Sequence, residues 1–282
     1  MAAVNILVAV RREDAGRYHK NLSAHQDFRV VEIVSNLNDA LDILADRERH
    51  IDVLVVDNQL GHVYELIMEL RHSYPRLLIV LVDEEADFAM PGQADEISTT
   101  PFEDNDLTRR ITRLMSDRQL ETLRADSMPA VRQFAKQLRK AAGELGKYQS
   151  AVSACRDLGY DYVAFYRLES LDPLQVSLRA QDGPNAIQAI APKQASPDDL
   201  VTWVAQSNQS RIAGPQDNPN YALVAKGRLG TVACVPVVFG SARYGVLVAC
   251  REQPNSITQD NVLMLDLVSA QLAAAISKES IG

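Results

Sequence analysis

The 282-residue sequence predicts two domains in tandem: an α/β domain on a doubly wound, parallel five-strand sheet, then, after a long connecting helix, an α+β domain with an antiparallel sheet. Three observations predict this. Short β-branched apolar runs alternate with amphipathic helical stretches up to about residue 115, the pattern of a parallel sheet covered on both faces. A charged segment without Gly or Pro follows, from Phe102 to Ser127, and reads as one long helix. The remaining half carries strand pairs separated by turn residues, and its length suits a second domain of ordinary size.

The first half reads, element by element, as a strand over Asn5–Val10, a helix to about Ala24, a strand over Arg29–Val34 and a helix over Asn36–Ala45. In that second helix Leu37, Ala40, Leu41 and Leu44 recur at helical spacing. A buried strand over Asp52–Val56, a helix over Val63–His72, a strand over Leu77–Val82, a short strand over Glu96–Ser98 and a helix from Leu107 complete the series. Between the last two strands, Asp83–Gln93 is short for a helix and contains Pro91-Gly92, so a helix of no more than a turn or two is expected there. Ligands and chemistry in such a sheet gather at the carboxyl ends of its strands.

The long helix is expected to break at Ser127-Met128-Pro129, where Ser127 can cap and the proline fits a first helical turn. Beyond it, Val131, Phe134, Leu138, Ala141, Leu145, Tyr148, Val152 and Cys155 alternate at spacings of three and four. This suits packing inside the chain or a seam between two chains. Near the C-terminus Thr258 can cap a helix over Gln259–Ser277 with Leu265, Val268, Leu272 and Ile276 on its faces. Both helices look apolar on more than one side, which favours a homodimer with Val131, Phe134, Leu138, Leu145, Leu265, Leu272 and Ile276 in its interface. In between, Asp161–Glu169 and Leu174–Gly183 read as strands joined at Leu171-Asp172-Pro173, and Gly230–Glu252 as a hairpin turning at Gly240-Ser241. The domain boundaries read as 1–117, a helical linker over 118–128, and 129–282.

Composition narrows the function. A formal charge of −8 and a pI near 5.2 disfavour generic nucleic-acid binding, which needs clustered Lys and Arg to neutralise phosphates. No uninterrupted apolar run approaches the roughly 20 residues of a membrane span, and the N-terminus enters a strand without a leader, so a cytoplasmic protein with no membrane insertion is expected. Cys155, Cys234 and Cys250 lie far apart in apolar surroundings, with no metal-ligand spacing. No cofactor, metal or catalytic residue is predicted.

Two resemblances follow from particular segments. "IDVLVVDNQLG" (51–61) and "ADEISTTPF" (94–102) resemble the third strand and the fifth strand with its turn in response-regulator receiver domains, which have a flavodoxin-like fold. The resemblance covers about Asn5–Met115 and implies that Asp57 stands where the family is phosphorylated. Phosphoryl transfer to a carboxylate needs charge neutralisation, for which the family uses an acid pair after strand one and a lysine after strand five. Here Val10 and Arg11 stand at the acid pair and Thr100 at the lysine. The hydroxyl residue of strand four falls at Val82 or Asp83. Glu13 or Asp14 could approach the metal position only from the start of the first helix. The resemblance therefore implies a receiver-like domain that has lost phosphorylation, with Arg11 able to pair with Asp57 and hold it ionised.

The strands and helices of Pro129–Ser277, with "PDDLVTWVAQSNQ" (197–209) and "SRIAGPQDNPNY" (210–221) between them, resemble the GAF family in order and spacing. That resemblance implies a pocket between the sheet and the loops and short helices over it, with Phe165, Leu178, Trp203, Tyr221, Val232, Cys234 and Val248 as candidate lining. The expected function is a non-enzymatic regulatory protein of two-component type, its first domain binding an unidentified signalling protein and its GAF domain dimerising. The alternatives are a sensor of a metabolite or nucleotide in the GAF pocket, and a regulator phosphorylated at Asp57.

Overall fold

The computed structural model describes residues 3–86, 94–126 and 128–279. The chain divides into two compact units, Met1–Glu121 and Thr122–Gly282. The expected short helix between Asp83 and Gln93 lies largely outside the described residues, as does the capping role of Ser127.

In the first unit, β1 (Val4–Ala9), β2 (Phe28–Val34), β3 (Val53–Asp57), β4 (Leu78–Val82) and β5 (Glu96–Ser98) form one sheet in the order β2-β1-β3-β4-β5. Every pairing is parallel. Side chains alternate across a strand, and the sequence places apolar residues on both faces. Ile6, Val8, Val10, Val53, Val55, Val80 and Val82 pack under Tyr18 and Leu22 of α1 (Ala15–Ser23) and under Leu107 and Ile111 of α4 (Asp106–Asp126). Leu7, Leu54, Val56, Ile79 and Leu81 are buried on the opposite face. That face is the one left to α2 (Leu37–Ala45) and α3 (Val63–Ser73), which bury Ala40, Ile43, Leu44, Leu66, Ile67 and Leu70. The Tyr74 hydroxyl donates to the Leu44 carbonyl at 3.1 Å, tying the ends of these two helices together. Each strand falls within a residue or two of its predicted position, and the long helix expected from Phe102 starts at Asp106. The long helix is α4, and the division between the units falls within it.

In the second unit, β6 (Tyr162–Leu171), β7 (Leu174–Asp182), β8 (Arg211–Ala213), β9 (Thr231–Phe239) and β10 (Ala242–Arg251) form a sheet in the order β7-β6-β10-β9-β8. All four pairings are antiparallel. The β9–β10 hairpin turns at Gly240-Ser241 as predicted. A bulge between Arg243 and Gly245 brings the backbone so close that a Cβ at Gly245 would overlap the Tyr166 carbonyl, which reserves that position for glycine. One face of the sheet, with Val163, Phe165, Ala180, Ala233, Val235, Val237, Leu247 and Ala249, packs on α6 (Gly143–Asp157) and α10 (Gln259–Glu279). Phe134 and Leu138 of α5 (Pro129–Lys140) join the same core.

One prediction needs correction here. The periodic segment from Val131 to Cys155 is two helices, because Ala141 and Ala142 are extended and Gly143 takes a positive φ of 65°. The three-and-four spacing runs through this break because α5 and α6 face one core. Val131, Phe134, Leu138, Leu265, Leu272 and Ile276 are all buried inside the chain. Of the expected intermolecular seam, only Leu145 is exposed, at 65%. The packing within one chain thus accounts for this periodicity. Among the described residues α10 is the one helix long and apolar enough to cross a membrane by length and composition, and its apolar face is the one laid on the sheet.

Candidate functional site

The carboxyl edge of the parallel sheet gathers the first set of candidate residues. Asp57 ends β3, in register with Val82 of β4, which is in turn in register with Ser98 of β5. Its side chain is buried and accepts a hydrogen bond from the Gln59 backbone N–H at 2.9 Å, which starts a single turn of 3-10 helix over Asn58–Leu60. Arg11 does not pair with it. The guanidinium is bonded to Asp14 at 2.9 Å and to Glu13 at 3.1 Å, and acts on Asp57 only at longer range. The expectation that arginine holds Asp57 ionised is therefore overturned: burial pushes its carboxyl upward, aided by the charges of Asp14 and Glu84 and opposed by the Gln59 N–H and Arg11.

Thr100, which the receiver resemblance set against that family's lysine, is exposed beyond β5, while Val82 is buried and apolar. Asp14 directly precedes α1, as the sequence suggested. The sequence reading missed the network next to Asp57. Asp83 is buried, accepts from the Asn58 amide at 2.9 Å and from the Tyr64 hydroxyl at 3.4 Å, and its backbone N–H bonds the Ser98 carbonyl. Ser98 in turn donates to Asp106, which is held ionised against burial by Arg110, Ser98 and Arg109. The acid-rich edge is thus committed to internal bonds.

The second set lies on the face of the antiparallel sheet opposite α6 and α10. There α8 (Leu200–Ser207) packs over β6, β7, β9 and β10, preceded in sequence by the short α7 (Asn185–Ile190) and followed by α9 (Ala222–Ala225). Strand alternation puts Tyr166, its register partner Leu178, and Val232, Cys234 and Val248 on this face. Trp203 of α8 and Tyr221, which precedes α9, complete the predicted lining. Phe165 does not belong to it: its side chain points to the helical core, its ring centroid 4.4 Å from that of Tyr148. Tyr221, Val232, Cys234 and Val248 are fully buried and Trp203 nearly so.

Several tyrosine hydroxyls on this face are held by hydrogen bonds. The Tyr166 and Tyr221 hydroxyls lie 2.9 Å apart, Tyr166 also donates to the Pro192 carbonyl, and the Tyr162 hydroxyl donates to Gln181 Oε1. Burial pushes all three phenols upward. Asp199 is the residue that the sequence reading passed over. Its carboxylate caps α8 through the Val201 N–H at 2.8 Å and also accepts from the Ala222 N–H, joining the starts of α8 and α9. Burial outweighs both donors and its carboxyl is pushed up to about 6. An Asp immediately before the apolar run Leu200–Ala205 was the available signal. Cys155, Cys234 and Cys250 are buried free thiols, pushed up by desolvation.

Residues 148–277 match the family model described as GAF domain. No curated protein matches the chain. Among solved structures, the GAF domain of an Acinetobacter phosphoenolpyruvate-protein phosphotransferase is 18% identical with a TM-score of 0.45, covering 54% of this chain and 94% of that one. A free methionine-R-sulfoxide reductase from Neisseria meningitidis is 12% identical with a TM-score of 0.47, covering 54% and 89%. A GAF domain/HD domain protein from Geobacter sulfurreducens is 15% identical with a TM-score of 0.43, covering 51% and 99%.

Proposed function

We propose, from the premise that residues 148–277 form a GAF domain, that this chain is a non-enzymatic signalling protein. Its first unit is a receiver-like platform that binds another signalling protein without being phosphorylated. The observation that carries this reading is the surroundings of Asp57. The aspartate stands at the end of the central strand of a parallel sheet ordered 2-1-3-4-5, where ligands of such sheets gather. Yet Arg11 is spent on Asp14 and Glu13, Thr100 is exposed, and Asp83 is bonded to Asn58 and Tyr64. A phosphoryl group on Asp57 would meet carboxylates with no lysine from the fifth strand to offset them.

The face of the antiparallel sheet under α8 supports the same reading for the second unit, since Trp203, Tyr221, Val232, Cys234 and Val248 are buried and the Tyr166 and Tyr221 hydroxyls are bonded to each other. Redox chemistry is left out because it needs an accessible thiol with a lowered pKa. All three cysteines are buried with their thiols pushed the other way.

The test is incubation of the full chain with Mg²⁺ and acetyl phosphate, followed by intact-mass measurement before and after hydroxylamine treatment. No hydroxylamine-labile adduct is expected. An adduct that forms on the natural chain and disappears in Asp57→Asn would replace this reading with that of a phosphorylated regulator.

A further inference from the structure

We propose that the helical side of the second unit carries a binding groove for a compact organic polyanion, a di- or tricarboxylate or a small phosphate ester, seated between α5, α6 and α10. The groove has a volume of about 260 Å³ and is lined by Arg139 and Leu138 of α5, Lys147 of α6, and Ala274, Ala275 and Lys278 of α10, among others. Its lining contains three cationic side chains and no carboxylate, in a chain whose formal charge is −8. The twelve residues of α5 sharpen the contrast, for they carry Arg132, Lys136, Arg139 and Lys140 and no acid.

Lys147 is the telling residue. It is 7% exposed, a rare degree of burial for a lysine. Its Nζ donates to the Ala275 carbonyl at 3.1 Å, near the C-terminal end of α10, where the helix backbone carries partial negative charge. The alanines leave room beside it and supply an apolar floor. Arg139 and Lys278 add a guanidinium and a second ammonium to the lining. A polyanion placed there meets charge-assisted donors from three helices at once. The volume of about 260 Å³ lies just below the usual range of about 300 to 1,000 Å³ for small-molecule sites, which suits a di- or tricarboxylate.

The plainer account is that Lys147 only caps the end of α10, and the two accounts separate experimentally. The full chain would be titrated with citrate and, separately, with pyrophosphate by calorimetry at low ionic strength, and its thermal unfolding followed with the same anions and with sodium chloride of matched ionic strength. Saturable binding is expected for at least one anion, with an upward shift of the melting temperature that chloride does not reproduce. Lys147→Met should weaken binding at least tenfold. Since that change also touches the helix end, the exposed pair is tested as Arg139→Gln with Lys278→Gln, which should keep the wild-type melting temperature without anion and weaken binding at least fivefold. Absence of saturable binding by the natural chain, an equal effect of chloride, or unchanged affinity in the double variant would overturn the proposal. A preference for citrate or for pyrophosphate identifies the head group as carboxylate or phosphate.

Discussion

Asp57 in the first unit and Asp199 in the second are buried to nearly the same degree, at 6% and 7% exposure, but they are held in different ways. Asp57 accepts one backbone N–H and stands among charges of both signs: Arg11 on one side, Asp14 and Glu84 on the other. Asp199 accepts two backbone N–H groups beneath α8, and burial still drives its carboxyl to about 6. Two amide donors therefore compensate less for desolvation than might be expected from their number. At the sheet edge Arg11 opposes burial while Asp14 and Glu84 add to it. Under the helices, no comparable set of opposed charges enters the balance. The comparison teaches that a buried carboxylate at a strand end answers to the charges around it, whereas one that joins two helix starts is part of the frame.

The largest expected effect tests the frame itself. Leu272 is fully buried in the core shared by α6, α10 and the sheet, so Leu272→Glu places an unpaired charge in an apolar interior and should cost more than about 4 kcal/mol. Loss of the second unit's cooperative transition by circular dichroism is the expected outcome, and a variant that melts like the natural chain would mean that the packing of α10 is misassigned.

Next come the substitutions at Asp199. Asp199→Ala strands two buried N–H groups and should destabilise the second unit by about 2 kcal/mol, whereas Asp199→Asn keeps an oxygen acceptor without the buried charge and should be at least as stable as the natural chain at pH 8. The folded-state pKa of about 6 lies above the ordinary value of 3.8, so the folded chain holds more protons than the unfolded one between those limits. Stability should then fall as pH rises from about 4 to about 6, by about 2 kcal/mol, and level off above. Urea unfolding at pH 4.5 and 7.5 checks the sign, and Asp199→Asn should flatten the dependence.

The smallest effect is at Asp57. Because its carboxyl is also raised by burial, Asp57→Asn should stabilise the first unit, by less than about 1 kcal/mol once solvent screening is allowed for. A loss of stability in urea would show that the arginine–carboxylate attraction matters more than the geometry indicates.

Most of the parallel domain was legible because each of its strands is a short apolar run bounded by polar turns, and alternation of strand and helix leaves few arrangements. What escaped was what periodicity cannot carry. Gly143 interrupts the helical pattern without changing the face that the flanking residues present, so two helices looked like one. Phe165 was placed among the pocket residues from the family's layout, although its position two residues after Val163 puts both on the helical side of β6. Asp83 became a network residue through its contacts with Asn58 and Tyr64, of which neither spacing nor composition gives notice. The paired hydroxyls of Tyr166 and Tyr221 join residues 55 positions apart, a relation that only the folded sheet creates.

Trp203 is the sole tryptophan of the chain, 2% exposed in α8, with the Arg211 guanidinium 4.9 Å above its ring. Indole fluorescence is therefore a reporter wired to one half of the molecule. Its emission follows the antiparallel unit and is blind to melting of the parallel one, whereas far-ultraviolet dichroism sums the two. A denaturation experiment recorded in both channels would separate two stabilities in one cuvette, with no label and no truncation.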